Sequence, residues 1–268
     1  MPWLRAPIFA VLCAFSYLIG CQTGGAAERL SDALDALVAA YPDALARHDG
    51  TFLYWKDGTR MPVGAPEPDK SFEQRLRQPS ILDQFHQRYP AGAPVTAPAK
   101  DFDPGRFRNE VFFRKLYGDC HRGEVTAHLT SVRWFPKGRT VKVTRRHGVA
   151  AQLAKVAAEV DKLPEGIKQA AYPIAGTYAC RTVLDTGLTS VHAYAAAIDL
   201  NQRVSDYWAW QPKADKQEPR YRNRMPLEIV EIFERHGFIW GGRWYHYDSM
   251  HFEYRPELLG VRGGSARR

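Results

Sequence analysis

The stretch Ser190–Asn201, SVHAYAAAIDLN, sets a histidine and an aspartate seven positions apart with four alanines among the residues between them. Two structures suit such a run. One is a plain alanine-rich helix whose polar ends carry no meaning. The other is a crowded loop and strand whose only reactive atoms are an imidazole and a carboxylate. A surface helix needs distinct polar and apolar faces, and this run shows neither, which favours the loop and strand. That choice fixes what the rest of the chain must supply: a third ligand and a base.

Both are offered by DSMHFEY, Asp248 to Tyr254. As a strand from Met250 onward, Met250, Phe252 and Tyr254 share one face, and His251 and Glu253 share the other. Asp248 precedes the strand across a bend and can turn to the side of His251. His192, Asp199 and His251 then form a two-histidine, one-carboxylate set. Such a set suits catalytic zinc, with three protein donors and a fourth corner left for water. The water becomes acidic near neutral pH and still needs a carboxylate to accept its proton and pass it to a leaving amine. Asp248, close to His251 and not itself a ligand, is the candidate base. Glu253 has two readings: partner to a ligand imidazole, or exposed strand carboxylate. Trp240 and Trp244 either line a substrate groove or belong to the core. His236 is expected to act as a favourable cation at a helix C-terminus, and neither it nor His246 is expected to bind metal.

Around these segments the pattern is α+β. ERLSDALDALVAAYP repeats apolar residues at helical spacing up to Pro42. GTFLYWKDGTRMPVG is expected to be a hairpin turning at Lys56-Asp57-Gly58. From about Gly64 to Pro104 proline and charge dominate, and the stretch reads as a linker or loose lobe with one helix at SILDQFHQRYP. PGRFRNEVFFRKLYG reads as a helix with Pro104 near its start and Gly118 past its end. EVTAHLTSVRWF and RTVKVTRR form a hairpin around Pro136-Lys137-Gly138. Val149, Leu153, Val156, Val160 and Leu163 mark an amphipathic helix. YPIAGTYACRTV and AAAIDLN are strand candidates. MPLEIVEIFERHG is a helix bounded by Pro226 and Gly237. Aromatic strands broken at Gly241-Gly242 follow, and GGSARR is a frayed tail.

The N-terminus places the chain. One positive charge, Arg5, precedes an apolar run of about 15 residues, shorter than the roughly 20 needed to span a bilayer and right for an export signal. Residues 1–27 are therefore expected to be a signal peptide. The run ends in Leu18-Ile19-Gly20-Cys21, which resembles the bacterial lipobox and would make Cys21 a lipidated N-terminus. Ordinary cleavage after Ala27 is the other reading. The chain is then an exported bacterial protein, periplasmic or an outer-membrane lipoprotein. Cys13 and Cys21 belong to the signal, which leaves Cys120 and Cys180 in the mature body. A disulfide between them is open; it would tether the neighbour of Arg181. The formal charge of +8, from 37 Lys and Arg against 29 Asp and Glu, favours anionic surroundings. Without a run of five or more basic residues, a nucleic-acid partner is not expected.

The two motifs carry a family resemblance. SVHAYAAAID resembles the Ser-x-His-x-x-Gly-x-Ala-x-Asp motif of zinc D-alanyl-D-alanine carboxypeptidases of the VanY type. WGGRWYHYDSMHFEY is similar to their Trp-Gly-Gly-x-Trp…Asp-x-x-His-Phe-Glu motif, especially as in phage L-alanyl-D-glutamate endolysins. The resemblance covers roughly residues 124–256, in the family's order. It implies a hedgehog-type α+β zinc domain, one zinc ion on His192, Asp199 and His251, Asp248 as general base, and peptidoglycan peptide stems as substrate. Arg181 stands where the family keeps an arginine for a substrate carbonyl or carboxylate, a task that suits a permanently charged fork. Ser190 and Trp244 are further candidate substrate contacts. One departure is Ala195 in place of the motif's glycine. The domains expected are an N-terminal extension at 28–110, a zinc peptidase domain at 111–262 and a tail at 263–268. The alternative is a hedgehog-like binding module that holds zinc and recognises a wall peptide or protein without cutting it.

Overall fold

The computed structural model describes residues 20–135, 139–183, 186–212 and 218–260. The apolar core of the expected signal, the Pro136-Lys137-Gly138 turn and the expected tail lie outside them. The architecture is α+β: helices around three small antiparallel sheets. Helix α1 (Gly20–Ala40) begins eight positions ahead of Glu28, with no proline in the preceding turns. Strands β1 (Leu45–His48), β2 (Phe52–Trp55) and β3 (Arg60–Pro62) form the first sheet, with Gly58 at φ +84° in the expected turn. Strands β4 (Leu129–Trp134) and β5 (Arg139–Thr144) form the second. The third has the order β6 (Ala197–Asp199), β8 (His251–Tyr254), β7 (Phe238–Trp240).

The remaining helices are α2 (Phe72–Arg77), α3 (Glu110–Tyr117), α4 (Val149–Val160), α5 (Glu165–Lys168), α6 (Leu227–Arg235) and α7 (Pro256–Gly260). Helix α4 buries Val149, Leu153, Val156 and Val160, the face its spacing predicts. Helix α6 starts after Pro226 and ends before Gly237, which takes φ +87°. Its Phe233 stacks on Phe252 of β8 with ring centroids 4.0 Å apart. His236 caps this helix and meets Glu159 Oε1 at 2.5 Å.

Three expectations are corrected. The stretch 64–104 is not loose. Lys70 and Arg75 converge on Asp83 at 2.7 and 3.2 Å, and the Tyr89 hydroxyl donates to Glu234 at 2.8 Å. Only one 3-10 turn, Leu82–Phe85, forms where a helix was expected. Secondly, α3 begins at Glu110 rather than Pro104. Gly105 at φ +96° cannot continue a helix, and the Asn109 side chain caps α3 by accepting from Phe112 N at 2.9 Å. Thirdly, YPIAGTYACRTV is extended but makes single bridges instead of a strand. The Thr177 carbonyl faces a histidine, and Cys180 is bonded to Cys120. Leu34, Leu45 and Trp55 from the N-terminal part share one hydrophobic cluster with Phe113, Val156, Phe233 and Phe252.

Candidate metal centre

Two adjacent strands and one tight turn bring the site together. Asp199, the last residue of β6, pairs in register with His251, the first of β8. His192 sits in the 3-10 turn Val191–Tyr194, which Ser190 caps by accepting from His192 N at 3.3 Å. The chain leaves this turn through Ala195 at φ 55° and ψ 30°, the left-handed conformation that favours glycine. Ala193, Ala195, Ala196 and Ala197 are all buried. The Ala195 carbonyl accepts from Thr144 N and the Ala196 carbonyl from Tyr254 N. The alanines therefore serve close packing between β5 and β8, not a helix.

Ligand atoms of His192, Asp199 and His251 lie within 4.8 Å of one another. Asp199 Oδ2 is 3.1 Å from His192 Nε2, and Asp199 Oδ1 is 2.8 Å from His251 Nδ1. The two facing imidazole nitrogens are 3.3 Å apart. Each ring is held from behind: His192 Nδ1 meets the Thr177 carbonyl at 2.7 Å, and His251 Nε2 meets Glu253 Oε2 at 3.2 Å. Both acceptors select the N–H on the outer nitrogen, which leaves two lone pairs and a carboxylate converging on one region. A cation satisfies that arrangement, and two nitrogens with one oxygen are a donor set zinc accepts. These residues fit a metal ion.

The electrostatics agree. Burial alone would raise the Asp199 carboxyl, but the His192 and His251 imidazoles hold it well below the usual carboxylate range. Burial alone would lower His251; its bonds to Asp199 and Glu253 outweigh that and lift it to about 10. Asp248 is pushed up to about 7, first by burial and then by the charge of Asp199. Its Oδ1 is buried and has no hydrogen-bond partner among the described residues. Asp248 is placed by its own backbone: its N–H donates to the Gly241 carbonyl at 3.0 Å, and its carbonyl accepts from His251 N at 3.2 Å. A Cβ on Gly241 would come within 2.6 Å of the Asp248 carbonyl oxygen, so that close approach needs the glycine.

A cleft of about 460 Å³ opens over these groups, and His192, Asp199, Asp248 and His251 all line it. Arg181 and Trp244 line it too, as does Ser190, whose Oγ is engaged in the cap. Arg181 is exposed, one residue beyond Cys180, whose disulfide to Cys120 spans 5.6 Å between Cα atoms. With both sulfurs in that bond, neighbouring His121 gains no thiolate partner for a second metal site. Trp244 is core-like and groove-lining at once: its indole N–H donates to the Pro104 carbonyl at 2.8 Å, and its ring lies against His251. Trp240 is wholly core. Glu253 is fully buried, so the exposed-carboxylate reading is excluded. His246 bonds Asp103 at 2.7 Å.

Sequence reasoning missed Arg106 and Arg108, which reach the cleft from upstream, and the rim aromatics Trp208 and Trp210. It also missed the buried ladder behind Glu253. Arg108 NH1 meets Glu253 Oε2 at 3.0 Å, and Arg255 meets Glu253 at 3.2 Å and Glu257 at 2.5 Å. Against burial, Arg108 and the His251 bond bring Glu253 down to about 2. The only local signal was the alternation that sets Glu253 on the face of His251.

A clustered His-Asp-His set beneath an open cleft, beside an acid whose Oδ1 is buried without a hydrogen-bond partner among the described residues, defines a candidate centre for metal-dependent hydrolysis. Residues 185–254 match the family model described as D-alanyl-D-alanine carboxypeptidase. The match supports the resemblance of this segment to the zinc D-alanyl-D-alanine carboxypeptidases, and with it a peptidase function. No curated protein and no solved structure matches the chain.

Proposed function

We propose that the protein is an exported zinc peptidase that hydrolyses peptidoglycan peptide stems, as a D,D-carboxypeptidase or as an endopeptidase within the stem. The observation that carries the proposal is the convergence of His192 Nε2, His251 Nδ1 and the Asp199 carboxylate beside Asp248 Oδ1. One zinc ion held by the three ligands would supply a Lewis acid that acidifies water and polarises the scissile carbonyl. Asp248 takes the proton of the attacking water and delivers it to the leaving amine. Arg181, exposed on the cleft, binds the carbonyl oxygen or a terminal carboxylate of the substrate. Ser190 and Trp244 border the same space and position the peptide. The domain containing these residues, 111–262, takes the hedgehog-type peptidase arrangement in this proposal, and residues 1–27 direct export, with Cys21 the site of lipid attachment if cleavage precedes it.

Mass spectrometry of products from purified peptidoglycan tests activity and bond choice together. Wild type should release one defined peptide or amino-acid product. Asp248→Asn should retain zinc and lose about 10²- to 10⁴-fold in rate, the usual contribution of a general base. Zinc binding by both proteins without any released product would instead favour the non-catalytic binding module.

A further inference from the structure

Arg108 lies upstream of the family match, yet its guanidinium bonds the carboxylate of Glu253, which meets the candidate ligand His251. Its NH1 donates to Glu253 Oε2 at 3.0 Å and Oε1 at 3.3 Å. Arg255 NH1 donates to Glu253 Oε1 at 3.2 Å, so two cations fix the plane of one carboxylate. The remaining reach of Oε2 is to His251 Nε2, at 3.2 Å. Arg108 is itself delivered by a strap, Asp103 to Arg108, that crosses behind the third sheet. The Pro104 carbonyl accepts from Trp244, the Gly105 carbonyl accepts from Arg255 at 2.7 Å, and Phe107 is buried. Gly105 takes φ +96° there, a backbone conformation that glycine adopts without strain.

We propose that Arg108 is a positioning residue for the metal centre, holding Glu253 against His251 Nε2 so that the lone pair of Nδ1 is committed to the ligand cluster. The inference rests on the reading of His192, Asp199 and His251 as zinc ligands. A neutral imidazole has two tautomers and can turn about its side-chain bonds; a fixed acceptor at one nitrogen selects both the tautomer and the ring orientation. Arg255 alone grips only Oε1. Without Arg108, Oε2 is free to swing away from the ring, and His251 loses the acceptor that orients it. The segment upstream of the matched family region thus supplies part of the metal site.

The test is zinc affinity of the full chain, measured by chelator competition, together with the visible absorption of the cobalt-loaded protein. Arg108→Gln should weaken zinc binding by about 10- to 100-fold, the usual effect of losing such a partner, and should shift the cobalt bands. Arg108→Lys, which keeps one charged donor near Glu253, should recover most of the affinity. Wild-type affinity and cobalt spectrum in Arg108→Gln would overturn the proposal. So would equal losses in Gln and Lys variants that track a lowered melting temperature of the metal-free protein. If Arg108→Gln does not fold, Glu253→Gln carries the same expectation, and its binding zinc as tightly as wild type overturns the proposal. Wild type that binds no zinc refutes the metallopeptidase reading itself, a different result from equal binding by wild type and variant.

Discussion

Ala195 is the residue where sequence pattern and backbone geometry disagree most informatively. The motif it resembles has glycine there, and the backbone at φ 55° explains why. An L-residue in that conformation is strained by about 1–2 kcal/mol, while glycine would add unfolded-state freedom worth about 0.4–1 kcal/mol. The two effects nearly offset, so Ala195→Gly should change stability by less than about 1 kcal/mol. A β-branched side chain has no such escape. Ala195→Val should destabilise by more than about 2 kcal/mol, because it combines a positive φ with overpacking in a fully buried position. Denaturant unfolding of the two variants checks both expectations.

At the scale of elements, the strap from Asp103 to Arg108 ties the proline-rich stretch to the aromatic motif. Asp103 is its anchor, fully buried, with Arg106 at 2.9 Å and His246 Nδ1 at 2.7 Å. Burial alone would raise its carboxyl, but Arg106 and His246 together hold it below the usual carboxylate range. A carboxyl depressed in the folded state stabilises above its unfolded value, near 3.9, and that stability is lost as pH falls through the lower folded value. Asp103→Asn should therefore be less stable than wild type by about 2–3 kcal/mol at neutral pH. The gap should narrow below about pH 4, as followed by thermal unfolding across a pH series. A gap that persists unchanged into strong acid would show that packing, not charge, accounts for the anchor.

Across the whole molecule, what was legible in the sequence was local. The face of α4, the bounds of α6 and the placing of Glu253 beside His251, with Phe252 and Tyr254 in the core, follow from spacing within a dozen residues, whereas Met250 lines the cleft beside His251 instead of the opposite face. The meeting of His192, Asp199 and His251 was legible because two motifs pointed to one chemistry. Arg108 was not, since it meets Glu253 across 145 positions and no local period marks it. The proline-rich stretch looked loose because its anchors are equally distant: Tyr89 finds Glu234 145 positions away. Isolated bridges replaced a strand at 172–183 because the Thr177 carbonyl and Cys180 answer to partners outside any sheet.

Zinc titration of the metal-free full chain, followed by calorimetry and by peptide release from peptidoglycan in the same samples, tests the central claim most directly. One equivalent of zinc should bind wild type and restore product release after chelation, while Asp199→Ala should bind far more weakly and stay silent. A folded wild-type protein that ignores zinc, or one that cuts peptidoglycan equally well with its metal stripped, would contradict the account.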